Sequence, residues 1–369
     1  MRRVKLMVAL MVLVMAPAAF SAEEAAKDKP PLIQMAILLD NSGSMSGLIN
    51  QARTELWRVV NEFATTKKNG RAPELQVALY IYGNPPPQQL LALTNDLDMV
   101  SEKLFAVQIN GGSEYCGQVI SEAVKNLKWS ESNEDLKVIF IAGNEEFTQG
   151  PVRYSDACKA AIAKGIMVNT IHCGSEAQGI EGKWQDGALL ADGKFMNIDQ
   201  NQAVAHVAAP QDKEIAQLGA DLNGTYVPYG AAGQEAQQRQ AAQDANALRA
   251  GSGSFGNRVA SKASVHYRNA GWDLVDAVKD SKVKLEDVKK EDLPENMQKM
   301  TPEERKAYVE QQTQKRTELQ KKVQELTAAR DKYVAEEMKK QGADADKTLG
   351  GAMLKAVREQ AAERKFEKK

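Results

Sequence analysis

In this 369-residue chain the residues best suited to chemistry are Asp40-Asn41-Ser42-Gly43-Ser44-Met45. A carboxylate and two hydroxyls at alternate positions of a tight turn can point at one centre. Gly43 between the hydroxyls lets the backbone fold closely. Hard oxygens of this kind suit Mg2+ or a similar divalent cation and supply part of its shell. Two neutral hydroxyls leave such a cation under-neutralised, so an open position would attract an acidic ligand. Asp or Ser at a strand-to-helix turn can also simply cap the helix. Capping needs only one of the three side chains, so it leaves the other two unexplained.

Other residues carry weaker signals. His172-Cys173 adjoin at a strand end, but two potential ligands do not make a zinc site. Ser42 sits in no Gly-x-Ser-x-Gly elbow, and no phosphate-binding Gly-x-x-x-x-Gly-Lys occurs, so a catalytic reading finds little. Cys116, Cys158 and Cys173 show no Cys-x-x-Cys spacing. In an oxidising compartment an odd number predicts one pair and one free thiol, with Cys173 pairing to Cys158 or Cys116. The alternative is that all three are buried thiols.

The elements that must position these residues alternate in type. Residues 33–39 form a nearly continuous apolar run, as expected of a strand buried on both faces. The next segment puts Leu48, Ala52, Leu56, Val59, Val60 and Phe63 on one helical face. Leu75 to Tyr82 reads as a second strand, stopping at Gly83-Asn84-Pro85-Pro86-Pro87. Asp96 is an N-cap candidate for a helix bearing Leu97, Val100 and Leu104. A helix face at Ile120, Val124 and Leu127 precedes a strand at Val138–Ile141. A helix from Ala157 to Lys164 ends at Gly165 before a strand at Ile166–Ile171. Phe195–Ile198 and Thr225–Val227 are weaker strand candidates. This alternation predicts an α/β fold, a doubly wound and mostly parallel sheet covered on both faces. In such sheets ligands bind at the carboxyl ends of the strands, where Asp40 lies.

With the motif, its preceding strand and its following helix in hand, residues 32–230 resemble the von Willebrand factor type A (VWA) family. That family carries Asp-x-Ser-x-Ser after its first strand as a metal-ion-dependent adhesion site (MIDAS), matched here at positions 40, 42 and 44. The resemblance implies a Rossmann-like VWA fold. It also implies that Ser42 and Ser44 ligate Mg2+ (or Mn2+ or Ca2+) and that Asp40 does so directly or through water. A second-loop hydroxyl matches at Ser113, after Gly111-Gly112, and would approach when ligand binds. Glu114 follows and can add a carboxylate. The family's third-loop aspartate is missing, because the central strand runs into Ala142-Gly143-Asn144-Glu145-Glu146. Glu145, or failing that Glu146, is the candidate there, through a water. The partner implied is a protein presenting an acidic residue, and the activity is binding rather than catalysis.

The remaining sequence sets the context. A formal charge of -1 gives no global field toward nucleic acid. Arg2, Arg3 and Lys5, an apolar run from Leu6 to Val14 and Ala19-Phe20-Ser21 read as a signal peptide over residues 1–21. Its removal leaves no membrane span and predicts a periplasmic or secreted protein. Residues 231–260 read as an Ala/Gln-rich helix and a Gly/Ser linker, with a flexible break at 251–256. Residues 261–369 read as a helical region. Thr301-Pro302-Glu303-Glu304 is a helix start with a capping box. Val309, Leu319, Val323, Leu326 and Tyr333 then follow a seven-residue pattern that Gln312, Arg316 and Arg330 interrupt. A short coiled coil or a helical hairpin is expected, turning at Gly342-Ala343-Asp344 with Lys347–Phe366 packing back. Trp272 would tie this region to the main domain. The alternative function is a metal-independent envelope scaffold acting through this helical region.

Overall fold

The computed structural model describes residues 29–368 except 203, 205, 206 and 342–346. The expected signal peptide and the turn expected at 342–344 lie outside the described residues. The strands are β1 (Leu32–Leu39), β2 (Thr66–Lys67), β3 (Glu74–Ile81), β4 (Gln88–Thr94), β5 (Leu136–Gly143), β6 (Met167–Cys173), β7 (Phe195–Ile198) and β8 (Glu367–Lys368). The helices of the sheet-bearing part are α1 (Ser46–Glu62), α2 (Leu97–Ala106), α3 (Cys116–Asn126), α4 (Tyr154–Ala163), α5 (Glu176–Glu181) and α6 (Trp184–Leu189). Then follow α7 (Asp212–Asn223), α8 (Gly233–Arg249), α9 (Ser252–Lys262), α10 (Leu274–Lys279), α11 (Glu295–Gln298), α12 (Pro302–Gln341) and α13 (Leu349–Glu363).

The main sheet has the order β4-β3-β1-β5-β6-β7. All its pairings are parallel except that of β3 with β4. β1 pairs with β3 on one side and β5 on the other, which explains its nearly continuous apolar run: both faces are covered. One face packs against α1, α2 and α13, with Trp57, Leu48 and Val60 among the buried side chains. The other packs against α3 and α4 and the side chain of Trp184. Asp96 caps α2 as its type predicts, accepting from the amides of Asp98 and Met99 at 3.1 and 3.0 Å.

The structure departs from the sequence expectations in several places. β4 has no alternating pattern, because it is a half-exposed edge strand whose leucines only partly enter the core. Thr225–Val227 forms no strand; Pro228 makes an isolated bridge to Asp273. The Gly/Ser segment is not a break, since Gly251 at φ 122° starts α9, whose Val259 is fully buried. All three cysteines are free and buried, so the expected disulfide is not formed. Cys116 and Cys158 lie on the same face of the sheet, in the packed layer of α3 and α4.

The long helix α12 begins with the expected capping box: Thr301 N donates to Glu304 Oε2 at 2.8 Å and Glu304 N to Thr301 Oγ1 at 3.2 Å. It packs on α7, α9 and α10 rather than pairing as a coiled coil. Two of the three residues that break its heptad seam are its anchors. Arg316 donates to Asp273 Oδ2 at 2.6 Å and Asp276 Oδ1 at 2.8 Å, and Arg330 to Asp212 at 2.6 Å. Trp272 stacks on Tyr226 in the same cluster. Fully buried Arg258 pairs with Asp98 of α2 at 2.6 Å and Asp244 of α8 at 2.8 Å, joining the sheet's helices to the appended ones.

The final helix does not return to α12. α13 packs on α1 and on β5, β6 and β7, closing one face of the sheet. Its first turn is held by two side chains of α1: Glu55 Oε2 accepts from Thr348 Oγ1 at 3.0 Å, and Gln51 Oε1 from the Leu349 amide at 2.8 Å. A side chain at Gly350 would overlap the Glu55 carboxylate, so this contact requires glycine. β8 then pairs antiparallel with β2. Among the described residues no helix is long and apolar enough to cross a membrane.

Candidate metal centre

Strand order reverses at β1, and the crevice at its carboxyl end is where parallel sheets place ligands. Asp40 is the residue after β1, and its amide donates to the Ala142 carbonyl of β5 at 2.9 Å. Three loops meet there. Asn41 joins them: its Nδ2 donates to the Gln108 carbonyl at 2.8 Å, its Oδ1 accepts from the Gly83 amide at 3.0 Å, and its carbonyl accepts from the Asn110 amide at 2.7 Å. The loops approach backbone to backbone. A Cβ on Gly83 would overlap the Ser42 amide, and one on Gly111, at φ 102°, would overlap the Gly83 carbonyl.

Asp40 is 0% exposed, Ser42 3% and Glu114 3%. Asp40 Oδ1 accepts from the Ser42 amide at 2.7 Å, but Asp40 Oδ2, Ser42 Oγ and Glu114 Oε2 are buried with no hydrogen-bond partner. The Ser42 hydroxyl still lies close enough to both carboxyls to offset part of the rise in their pKa values. Burial is the main reason that Asp40 is pushed up to about 7, and the charges of Glu114 and Glu145 add to it. Glu114 is also raised, by burial first and by the charge of Glu145. Unpartnered buried oxygens with raised carboxyl pKa values show an environment short of positive charge.

The other expected site residues are less enclosed. Ser44 is exposed, and its hydroxyl donates to Asn144 Oδ1 at 3.5 Å. Asn144 is thus the third-loop side chain that meets Ser44. Ser113 is half-buried, and its amide meets the Gly83 carbonyl at 3.4 Å. Glu145 is exposed and its Oε2 accepts from Gln149 at 3.4 Å, yet its charge reaches both Asp40 and Glu114. Its carbonyl is fixed by the Trp184 indole at 2.7 Å. Glu146 bonds instead to Thr148. Among the described residues no three His, Cys, Asp or Glu side chains converge to hold an ion. A cation here would therefore need hydroxyl oxygens as well as acids.

The motif as a sequence assigns Asn41 no role of its own. Its triple role has no local signature, because its partners lie 42 and 67 residues away. The sequence marks Glu114 only as an added carboxylate, but the fold buries it beside Ser42. His172 is buried beside Trp184, with Nδ1 unpartnered and its pKa lowered by burial. Among the described residues it joins no group of three His, Cys, Asp or Glu side chains that could hold a zinc ion.

Residues 34–182 match the family model of the von Willebrand factor type A domain, and this part of the chain is such a domain. Domains of this family often mediate metal-dependent protein interactions and are generally interaction modules rather than enzymes. Among solved structures, the conserved hypothetical protein BatB from Bacteroides thetaiotaomicron is 19% identical at a TM-score of 0.36, over 45% of this chain and 90% of that one. The SpRpn10 VWA domain is 20% identical at a TM-score of 0.35, over 45% of this chain and 88% of its own. Proximal thread matrix protein 1 from the mussel byssus, with a zinc-occupied MIDAS motif, is 13% identical at a TM-score of 0.37, over 46% of this chain and 42% of that one. Comparison with curated proteins gives no match.

Proposed function

We propose that this protein binds a protein partner through a divalent cation held at the carboxyl end of β1. The observation that carries this reading is the burial of Asp40 Oδ2, Ser42 Oγ and Glu114 Oε2 without partners in one loop cluster. Leaving such groups unmet costs about 1–3 kcal/mol each, and more for a charged one. Asp40, Ser42 and Ser44 would hold the ion, with Ser113 beside them. Glu114 is the nearer second carboxylate, and Glu145 acts from the rim through its charge. When bound, the cation supplies a coordination position that a partner's glutamate or aspartate can fill. Mg2+ is the first candidate, with Mn2+ and Ca2+ as alternatives, since all the donors are hard oxygens.

The chain's own residues set the conditions for binding. The Asn41 bonds fix the three loops before any ligand arrives, so little ordering is left to oppose association. Ser44, exposed and loosely tied to Asn144, can turn toward an ion. The leader supports export to the periplasm or beyond, and N-terminal sequencing of the mature protein checks it. Isothermal titration with Mg2+ and Mn2+ should give binding heats for the wild type that disappear in Asp40→Ala. Equal, negligible heats for both proteins would end the metal reading.

A further inference from the structure

A groove of about 270 Å3 opens next to the candidate metal centre, between β3, β4 and the carboxyl end of α2. Its floor is apolar, made by Ile81, Leu90 and Val107. Its rim carries Asn84, Gln88 and Lys103. The groove adjoins the metal centre through Asn41, which lines it while sitting between Asp40 and Ser42. Asn110 closes that end, its amide bonded to the Asn41 carbonyl at 2.7 Å. Among the described residues, Lys103 makes no ion pair and the side chains of Asn84 and Gln88 no hydrogen bond.

We infer that this groove is a second recognition site for the same partner segment, receiving a glutamate a few residues from the acid that meets the metal. The inference rests on the reading under Proposed function. Lys103 is the one charged side chain that lines the groove, so an anionic group is favoured over a cationic one, and the Asn84 and Gln88 amides can turn their donors toward it. The apolar floor suits the methylenes of a glutamate better than the shorter aspartate. β4 pairs on one side only, so an extended segment can lie along this edge without displacing a neighbour. The metal position would then fix one acid and the groove would set which partner is preferred.

The test is an NMR titration of the full mature chain with synthetic Gly/Ser peptides in Mg2+. One peptide carries a single Glu, and the others carry two, separated by one to four residues. At one of these spacings the two-Glu peptide should bind about three- to fivefold tighter than the single-Glu peptide, the range expected for a partly exposed ion pair. Lys103→Gln should erase that gain and leave single-Glu binding unchanged. Equal affinities at every spacing, or a gain that survives Lys103→Gln, would overturn the inference. Repeating the titration in chelator separates the two readings. If affinities persist without Mg2+ and the Lys103-dependent gain remains, the metal reading fails while the groove stands.

Discussion

Asp40→Asn should make the metal-free protein more stable. The folded state holds the Asp40 carboxyl at a pKa of about 7 against an ordinary 3.8. Between those values the native protein binds a proton that the unfolded chain has lost, so stability falls as pH rises and levels off above about pH 7. At roughly 1.4 kcal/mol per pKa unit, the full cost of ionising Asp40 in the fold is about 4 kcal/mol. Asparagine keeps the oxygen that accepts from the Ser42 amide and removes the charge. Urea denaturation in chelator at pH 5 and pH 8 reads the effect. The wild type should lose stability between these two values, and Asp40→Asn should lose less and exceed the wild type by about 2–4 kcal/mol at pH 8. Adding Mg2+ at a hundred times its dissociation constant should stabilise only the wild type, by about 2.7 kcal/mol. A variant no more stable than the wild type at pH 8 in chelator would refute the account of a buried carboxylate awaiting positive charge.

Other perturbations probe the surrounding structure. Because Asp40 must give up its proton to bind an ion, Mg2+ affinity should rise about tenfold per pH unit below pH 7 and flatten above it; calorimetry giving a flat profile from pH 5.5 to 8 would contradict this. Asn41→Ala strands the Gly83 amide and the Gln108 carbonyl, so it should cost about 2–3 kcal/mol in urea denaturation and weaken Mg2+ binding. Arg316→Met leaves Asp273 buried without its cation and should cost about 3–5 kcal/mol, whereas an unchanged urea midpoint would show the pair to be dispensable. Thiol counting should find one reactive cysteine or none in the native protein and three after denaturation, since Cys116, Cys158 and Cys173 are free and buried.

The sheet was readable because its central strands are buried on both faces and contain little but apolar residues. The edge strand β4 was not, because partial exposure removes both a continuous apolar run and a clean alternation. The metal motif stood out locally, as Asp40, Ser42 and Ser44 share one turn. Its supporting contacts were hidden, since Asn41 and Glu114 gain their roles only when distant loops meet. The arginines at 316 and 330 looked like faults in a heptad pattern, yet they are buried ion-pair partners. A one-dimensional pattern shows the interruption but not the carboxylates that answer it. The expected pairing of cysteines rested on compartment chemistry, which says nothing about where the fold puts each thiol.

The position of α13 separates the order of synthesis from the order of assembly. All strands of the main sheet have been made by residue 198, but on the face shared with α1 and α2 the part over β5, β6 and β7 stays uncovered until residues 349–363 are available to shield it. The protein thus contains a check on its own length. A chain that stops early, or is clipped after α12, presents the apolar strip that α13 would cover, so shortened products should be aggregation-prone and readily degraded.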